Sequence, residues 1–240
     1  MYHQKLGIIG GFGAYATLNF YKRILEVFAA ENEREYPHII MDNNFTMPSR
    51  TRALLYNESY DVVVREIAES IKKLLAFGAD KLVLVCGTAH YFLKDVYKLV
   101  PQAESKIVDM IEILGQELKQ LKKRETLVIA AEGALEKGLY SNRLHKYDII
   151  CCTPSHEHFS EIRYFIEAVK RNQLSPEVGN RFLHFLDIYK QENIILGCTE
   201  FPVLVNYIKN ESVKLQQDIS DFNFYDPLEM TIMKLKQILI

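Results

Sequence analysis

Short β-rich apolar runs alternate with longer amphipathic stretches along almost the whole chain, and this alternation constrains the fold more than any other feature. Leu6-Gly7-Ile8-Ile9-Gly10 reads as a buried strand, with a helix expected over 14–30. His38-Ile39-Ile40-Met41-Asp42 is a second strand. Residues 61–77 carry Val64, Ile67, Ala68, Ile71, Leu74 and Leu75 at helical spacing, and Gly78 stands where a helix ends. Lys81-Leu82-Val83-Leu84-Val85-Cys86 has the unbroken apolar character of a strand buried on both faces. Ile107-Val108, Thr126 to Ala130, Asp148 to Cys151 and Asn193 to Gly197 repeat the theme. Helices are expected over 156–171, over 176–191 and after Asp226-Pro227. Parallel strands need long crossovers, which helices supply, so the pattern predicts an α/β fold with mainly parallel sheets.

Composition narrows the class. The chain has 240 residues, 29 Lys+Arg and 31 Asp+Glu. A chain of this length buries roughly 70–75% of its unfolded surface and needs no disulfide or metal to fold. The near-neutral charge lacks the basic footprint of a nucleic-acid binder. No apolar run approaches the roughly 18 residues of a membrane span, and the N-terminus has no signal-peptide pattern. A cytoplasmic protein is expected, with no nucleic-acid or membrane partner. The four cysteines, Cys86, Cys151, Cys152 and Cys198, have no zinc-site spacing and are expected to be free thiols.

Two of these cysteines sit in matched contexts. Val83-Leu84-Val85-Cys86-Gly87-Thr88 and Ile194-Ile195-Leu196-Gly197-Cys198-Thr199 are each an apolar strand ending in a small residue, a cysteine and a threonine. Leu6 to Gly11 likewise echoes Leu127 to Gly133. The offsets, 198 − 86 = 112 and 133 − 11 = 122, are near half the length. Two pseudo-symmetric lobes follow, each a mainly parallel sheet flanked by helices. The first is expected over 1–103 with 222–240, closed by the C-terminal helix, and the second over 104–221. Ligands of open α/β sheets sit at the carboxyl ends of strands, so both cysteines are expected in the cleft between lobes. A thiol at a helix N-terminus is expected to have a lowered pKa. Two such thiols flanking one carbon suit a reaction that removes a proton from one face and returns it to the other. The plainer reading, that strand-end cysteines are packing residues, suits Cys151 and Cys152.

Gly7-Ile8-Ile9-Gly10-Gly11-Phe12-Gly13, Pro48-Ser49-Arg50-Thr51, Cys86-Gly87-Thr88-Ala89-His90, Glu132-Gly133, Leu196-Gly197-Cys198-Thr199-Glu200 and Asp226-Pro227 occur in an order that resembles the aspartate/glutamate racemase family. The resemblance spans essentially the whole chain. It implies a cofactor-independent amino-acid racemase, without metal, acting on L- and D-aspartate or glutamate, with Cys198 taking the proton from the L-enantiomer and Cys86 from the D-enantiomer. It implies that Arg50 and Lys170 hold the distal carboxylate, that Gly11, Gly87, Thr88, Gly133 and Thr199 line the substrate, and that the protein is a homodimer. The chain departs from the family pattern at Gly87, usually asparagine, and at Ala134, usually threonine. Both lost side chains are implied to contact the head group, so either binding there is weaker or the space admits a different ligand. The alternatives are a related cysteine-dependent isomerase or decarboxylase of another carboxylic acid, and a non-catalytic dicarboxylate-binding relative.

Gly11-Phe12-Gly13-Ala14-Tyr15-Ala16 formally fits a dinucleotide fingerprint, but Asp42 lies 31 positions on, late for the acidic partner, and that reading leaves both cysteine loops unexplained. Arg50 is read in a polar loop, Asn43 to Thr51. His90 is a supporting candidate near Cys86. Glu200 either orients Cys198 or caps a helix, with capping preferred.

Overall fold

The computed structural model describes residues 2–28, 31–210 and 219–240. The first lobe contains β1 (Leu6–Gly10), α1 (Ala14–Val27), β2 (Ile39–Asn43), α2 (Arg50–Tyr56), α3 (Tyr60–Ala76), β3 (Lys81–Leu84) and α4 (Leu93–Leu99). Then come α5 (Met110–Gln120), β4 (Glu125–Ile129), α6 (Glu132–Glu136), α7 (Leu139–Leu144), β5 (Ile150–Cys152), α8 (Phe159–Lys170), α9 (Pro176–Tyr189), β6 (Asn193–Leu196), α10 (Glu200–Asn210), β7 (Asn223–Tyr225) and α11 (Pro227–Ile238).

Among the described residues every strand pairing is parallel. The sheets run β2-β1-β3 and β5-β4-β6-β7. An isolated parallel bridge between Leu82 and Ile107 occupies the place beside β3 that β7 occupies beside β6. The two lobes thus share one strand order. Register makes the equivalence close at the site: Ile9 pairs with Leu84 and Ile129 with Leu196, and each cysteine stands two residues beyond its paired leucine. The offset between first strands is therefore 129 − 9 = 120, so Gly11 corresponds to Ala131 and not to Gly133.

The side-chain period of two sorts the strands of the first sheet into two cores. Leu6, Ile8, Val83 and Val85 face a core shared with the second lobe, which continues through Leu127, Phe165, Ile194 and Leu235. Ile9, Leu82, Leu84 and Cys86 face the other way, against Ile67 and Phe92. Each fully buried side chain of this size contributes about 1.5–3 kcal/mol. The shared core joins the lobes into one body and sets a fixed cleft between them.

Most expected elements are present within a residue or two. Six helices, α2, α4, α5, α6, α7 and α10, lie where the sequence pattern gave no helical range, and three of them carry a start signal or a buried period. Ser49 accepts from Arg52 N at the head of α2. Asp109 accepts from Ile111 N and Glu112 N at the head of α5. In α10 the residues Phe201, Leu204, Val205 and Ile208 are buried at helical spacing. Arg50 is accordingly the first residue of a helix, not part of a loop ending at Thr51. The expected strand at Ile107-Val108 is a single bridge. Of the helix expected over 14–30, Ala29 and Ala30 lie outside the described residues.

Strand pairing assigns the segments near the expected lobe boundaries to sheets. Asn223–Tyr225 pairs with β6 and belongs to the second sheet, whereas Ile107 pairs with the first. The reason is topological: each lobe's last strand follows a helix that crosses back over its own sheet. The C-terminal α11 packs on both α1 and α5. Arg23 joins it to α1 through a two-pronged pair with Glu229, at 2.6 and 3.0 Å.

Candidate active site

The carboxyl ends of β3 and β6 deliver Cys86 and Cys198 to one cavity of about 340 Å³ between the lobes. The two loops meet at their glycines. A Cβ at residue 87 would collide with the Tyr140 hydroxyl and come within 2.6 Å of the Gly197 carbonyl oxygen. A Cβ at residue 197 would come within 2.8 Å of the Tyr140 ring. The phenol donates to that same Gly197 carbonyl at 2.9 Å. The vacated volume expected at Gly87 is therefore filled from behind, by protein and not by ligand.

Glu200, the first residue of α10, is almost fully buried beside Cys198. Its Oε2 accepts from the Cys198 thiol at 3.0 Å and from the Thr199 hydroxyl at 3.2 Å. Its Oε1 would stand 2.7 Å from a Cβ at residue 13, so the second glycine of Gly11-Phe12-Gly13 admits this carboxylate. That contact accounts for a glycine that a nucleotide fingerprint would assign to phosphates. The preference for Glu200 as a cap gives way to its other role, against the thiol.

The expectation of a lowered thiol pKa is reversed at Cys198. Burial pushes this thiol well above its ordinary value, the Glu200 carboxylate adds to the shift, and Cys86 raises it further while Lys170 opposes. Withdrawal from water penalises the thiolate more than the N-terminus of α10 favours it. The Cys198 thiol is therefore held protonated. Cys86 leads instead into a 3-10 turn over Thr88–Phe92. His90 in that turn places Nδ1 2.9 Å from the Cys86 carbonyl, with Nε2 buried and, among the described residues, unpartnered. Burial holds its pKa down, so it is neutral and donates through Nδ1. It braces the backbone of Cys86, not the sulfur.

Four cations, Arg50, Arg52, Arg163 and Lys170, also line the cavity. Arg50 is half-buried, donating to Phe12 O at 2.6 Å and Pro48 O at 3.1 Å, with its guanidinium 5.1 Å from the Phe12 ring centre. Among the described residues it forms no ion pair. Two carbonyls and an aromatic face orient the fork and leave its charge uncompensated. Lys170, the last residue of α8, lines the same cavity and pairs loosely with Glu167 at 3.3 Å. Arg163 closes on the buried Glu132 through Nε at 3.2 Å and Nη2 at 2.6 Å. Leu55, Tyr56 and Ile166 complete that wall.

Of the residues expected from sequence, Cys86, Cys198, Arg50, Gly87, Thr88, Lys170 and Thr199 line this cavity. Gly11 does not. Its φ of +84° makes a tight turn against Asn44, beside an adjoining recess that shares Arg50, Lys170 and Glu200. Gly133 is also off the cavity: a Cβ there would stand 3.1 Å from Thr51 Cα and from Leu54 Cβ, so it lets α6 approach α2. Ala134 is buried behind it. Sequence reasoning missed Tyr140, Glu132 and Arg163. Glu132 stood in the Glu132-Gly133 motif, a legible signal; Tyr140 had none.

The cleft thus receives one thiol from each of two matching lobes. Residues 9–233 match the Asp/Glu/Hydantoin racemase family, and the chain belongs to that family of racemases. It is 23% identical over 217 residues to the broad specificity amino-acid racemase RacX of Bacillus subtilis, covering 86% of this chain and 89% of that one. The aspartate racemase of Picrophilus torridus shares the fold with a TM-score of 0.81 at 23% identity, over 99% of this chain and 94% of that one. An aspartate racemase homologue from Pyrococcus horikoshii superposes with a TM-score of 0.73 at 21% identity, over 99% of both chains.

Proposed function

We propose that this protein interconverts the enantiomers of a small acidic amino acid, aspartate ahead of glutamate, by two-thiol proton transfer at Cα. The observation that carries the reading is the convergence of Cys86, Cys198 and an uncompensated Arg50 on one cavity. Arg50, helped by Lys170, takes the distal carboxylate. Thr88 and Thr199 offer hydroxyls to the head group beside the thiols.

One cysteine enters each turnover as thiolate and the other as thiol. The thiolate removes the Cα proton from one face, and the thiol delivers its own proton to the opposite face. The pair leaves with protonation exchanged, and proton exchange with solvent water resets it for another turnover in the same direction. When Cys198 is the base, its thiol proton first passes to Glu200 Oε2, the acceptor it already contacts at 3.0 Å. Holding base, carbon and acid in line removes the orientational cost of the step.

The test is incubation of each enantiomer in deuterated water. Deuterium at Cα of both enantiomers is expected, and loss of either thiol, as Cys86→Ala or Cys198→Ala, lowers exchange into product by about 10²–10⁴-fold. No exchange with aspartate or glutamate removes this substrate assignment. A second reading, a larger amino-acid side chain, is favoured by Leu55, Tyr56 and Ile166 on the cavity wall, and the broad specificity of the RacX relative is consistent with it. Running the same assay across apolar and basic amino acids separates the two.

The protein is proposed to act as a homodimer in the cytoplasm. Tyr15, Leu18, Tyr21 and Leu25 are exposed at helical spacing along α1, with exposed Phe45 beside them. This apolar stripe suits burial against a second copy. The four free thiols fit a reducing compartment, and among the described residues no helix is long and apolar enough to cross a membrane.

A further inference from the structure

Tyr140 lies off the cavity wall and outside every motif read from the sequence, yet the two cysteine loops meet on it. Its side chain is enclosed, at 2% exposure. A buried phenol needs a hydrogen-bond partner, and its partner is the carbonyl of Gly197, the residue immediately before Cys198. The same oxygen occupies the space into which any side chain at Gly87, immediately after Cys86, would have to grow. The ring edge does the same at Gly197. Both thiols are close enough for their charge to act on the phenol, which burial keeps neutral. One side chain therefore touches the peptide adjoining each sulfur, without reaching the ligand.

We propose that Tyr140 is the positioning residue of the two-cysteine site: its phenol is the spacer against which the Cys86-Gly87 and Gly197-Cys198 peptides are set, which fixes the separation of the thiols and makes glycine a condition at 87 and 197. The inference rests on the two-thiol reading for its consequence in catalysis. The spacer acts on geometry and not on affinity. A displacement of about 1 Å at reacting atoms costs on the order of 10²-fold in rate, whereas substrate contacts remain with Thr88, Thr199 and Arg50.

The experiment combines Tyr140→Phe, Gly87→Ala and the double variant. In the exchange assay Tyr140→Phe lowers kcat by about 10-fold or more and leaves KM within about twofold, since the ring does not touch substrate. Two further measurements need no substrate. The ratio of iodoacetamide alkylation at Cys198 to that at Cys86, read by peptide mass, shifts about threefold or more in Tyr140→Phe. Gly87→Ala lowers Tm by roughly 3–10 °C in the parent, and by less than half as much in the Tyr140→Phe background, where the obstructing hydroxyl is gone and the Gly197 peptide is free to move. If Gly87→Ala fails to fold, folding of the double variant is the same positive result; if neither folds, the alkylation ratio decides. Additive Tm shifts, or an unchanged ratio, overturn the inference. Absence of exchange by the parent protein with every amino acid defeats the racemase reading alone, because the alkylation ratio and the Tm cycle still decide the spacer.

Discussion

The Cys198 thiol donates to Glu200 Oε2 at 3.0 Å, across a single intervening residue. That contact does two opposed things. It raises the thiol pKa, because a carboxylate disfavours a neighbouring thiolate, and it supplies the acceptor through which a thiolate can form. Reactivity and turnover should therefore separate in Glu200→Gln. Removing the charge lowers the Cys198 pKa, so its alkylation begins at lower pH and is faster at neutral pH. Racemisation falls by about 10²-fold or more, because the amide cannot take the proton. Alkylation and turnover moving in the same direction would contradict this assignment.

Arg50 is held by carbonyls and an aromatic face, not by an acid. Arg50→Lys keeps the charge but cannot reproduce the fork. We expect kcat/KM for aspartate to fall about 10–100-fold, chiefly through KM, because a charge-assisted contact contributes about 1.5–3 kcal/mol. Steady-state kinetics on both enantiomers checks it. Equal losses in the two directions are required, since enantiomers have an equilibrium constant of one. An unchanged KM would place the distal carboxylate elsewhere.

Asp226 caps α11, accepting from Leu228 N at 2.9 Å, and burial lifts its pKa to about 7. An unfolded aspartate titrates near 3.9. A folded pKa above the unfolded one means that the folded state binds the extra proton, so this group favours folding below about pH 4 and loses that contribution as pH rises to about 7. The substitution Asp226→Asn keeps the cap without the charge. The Tm difference, variant minus parent, should grow in the variant's favour from pH 4 to pH 8. A flat difference across that range would show that Asp226 ionises normally.

The exposed stripe on α1 predicts the effect of a single charge. Leu18→Arg should convert a dimer to a monomer in sedimentation equilibrium while leaving the far-UV spectrum unchanged, since Leu18 faces away from the shared core. A parent protein that already sediments as a monomer, or a variant that remains dimeric, rules out this face.

Much of this architecture was legible in one dimension. Strand and helix periodicity, Gly78 after α3, and the matched Cys-Gly-Thr and Gly-Cys-Thr strand ends identify the α/β class, the two lobes and the two thiols. Burial leaves a period in the residues that make it, and the parallel strand order requires helices between strands. Even the missed α5 was announced by Asp109 followed by Glu112. What the pattern left undecided were assignments that depend on what lies opposite. The fate of Asn223–Tyr225 turned on which edge it reached, and the space beside Gly87 on a tyrosine 53 residues away (140 − 87).

By itself, then, the chain determined its elements, their pairing into like halves and the residues able to carry a proton. Only the tertiary structure decided how those residues are conditioned: Cys198 protonated by enclosure beside Glu200, Gly13 kept small to admit that carboxylate, Arg50 left uncompensated and Tyr140 set between the sulfur-bearing peptides. The reason is physical. Periodicity is a property of neighbours along the backbone, whereas solvation, charge pairing and steric exclusion are properties of distance in space.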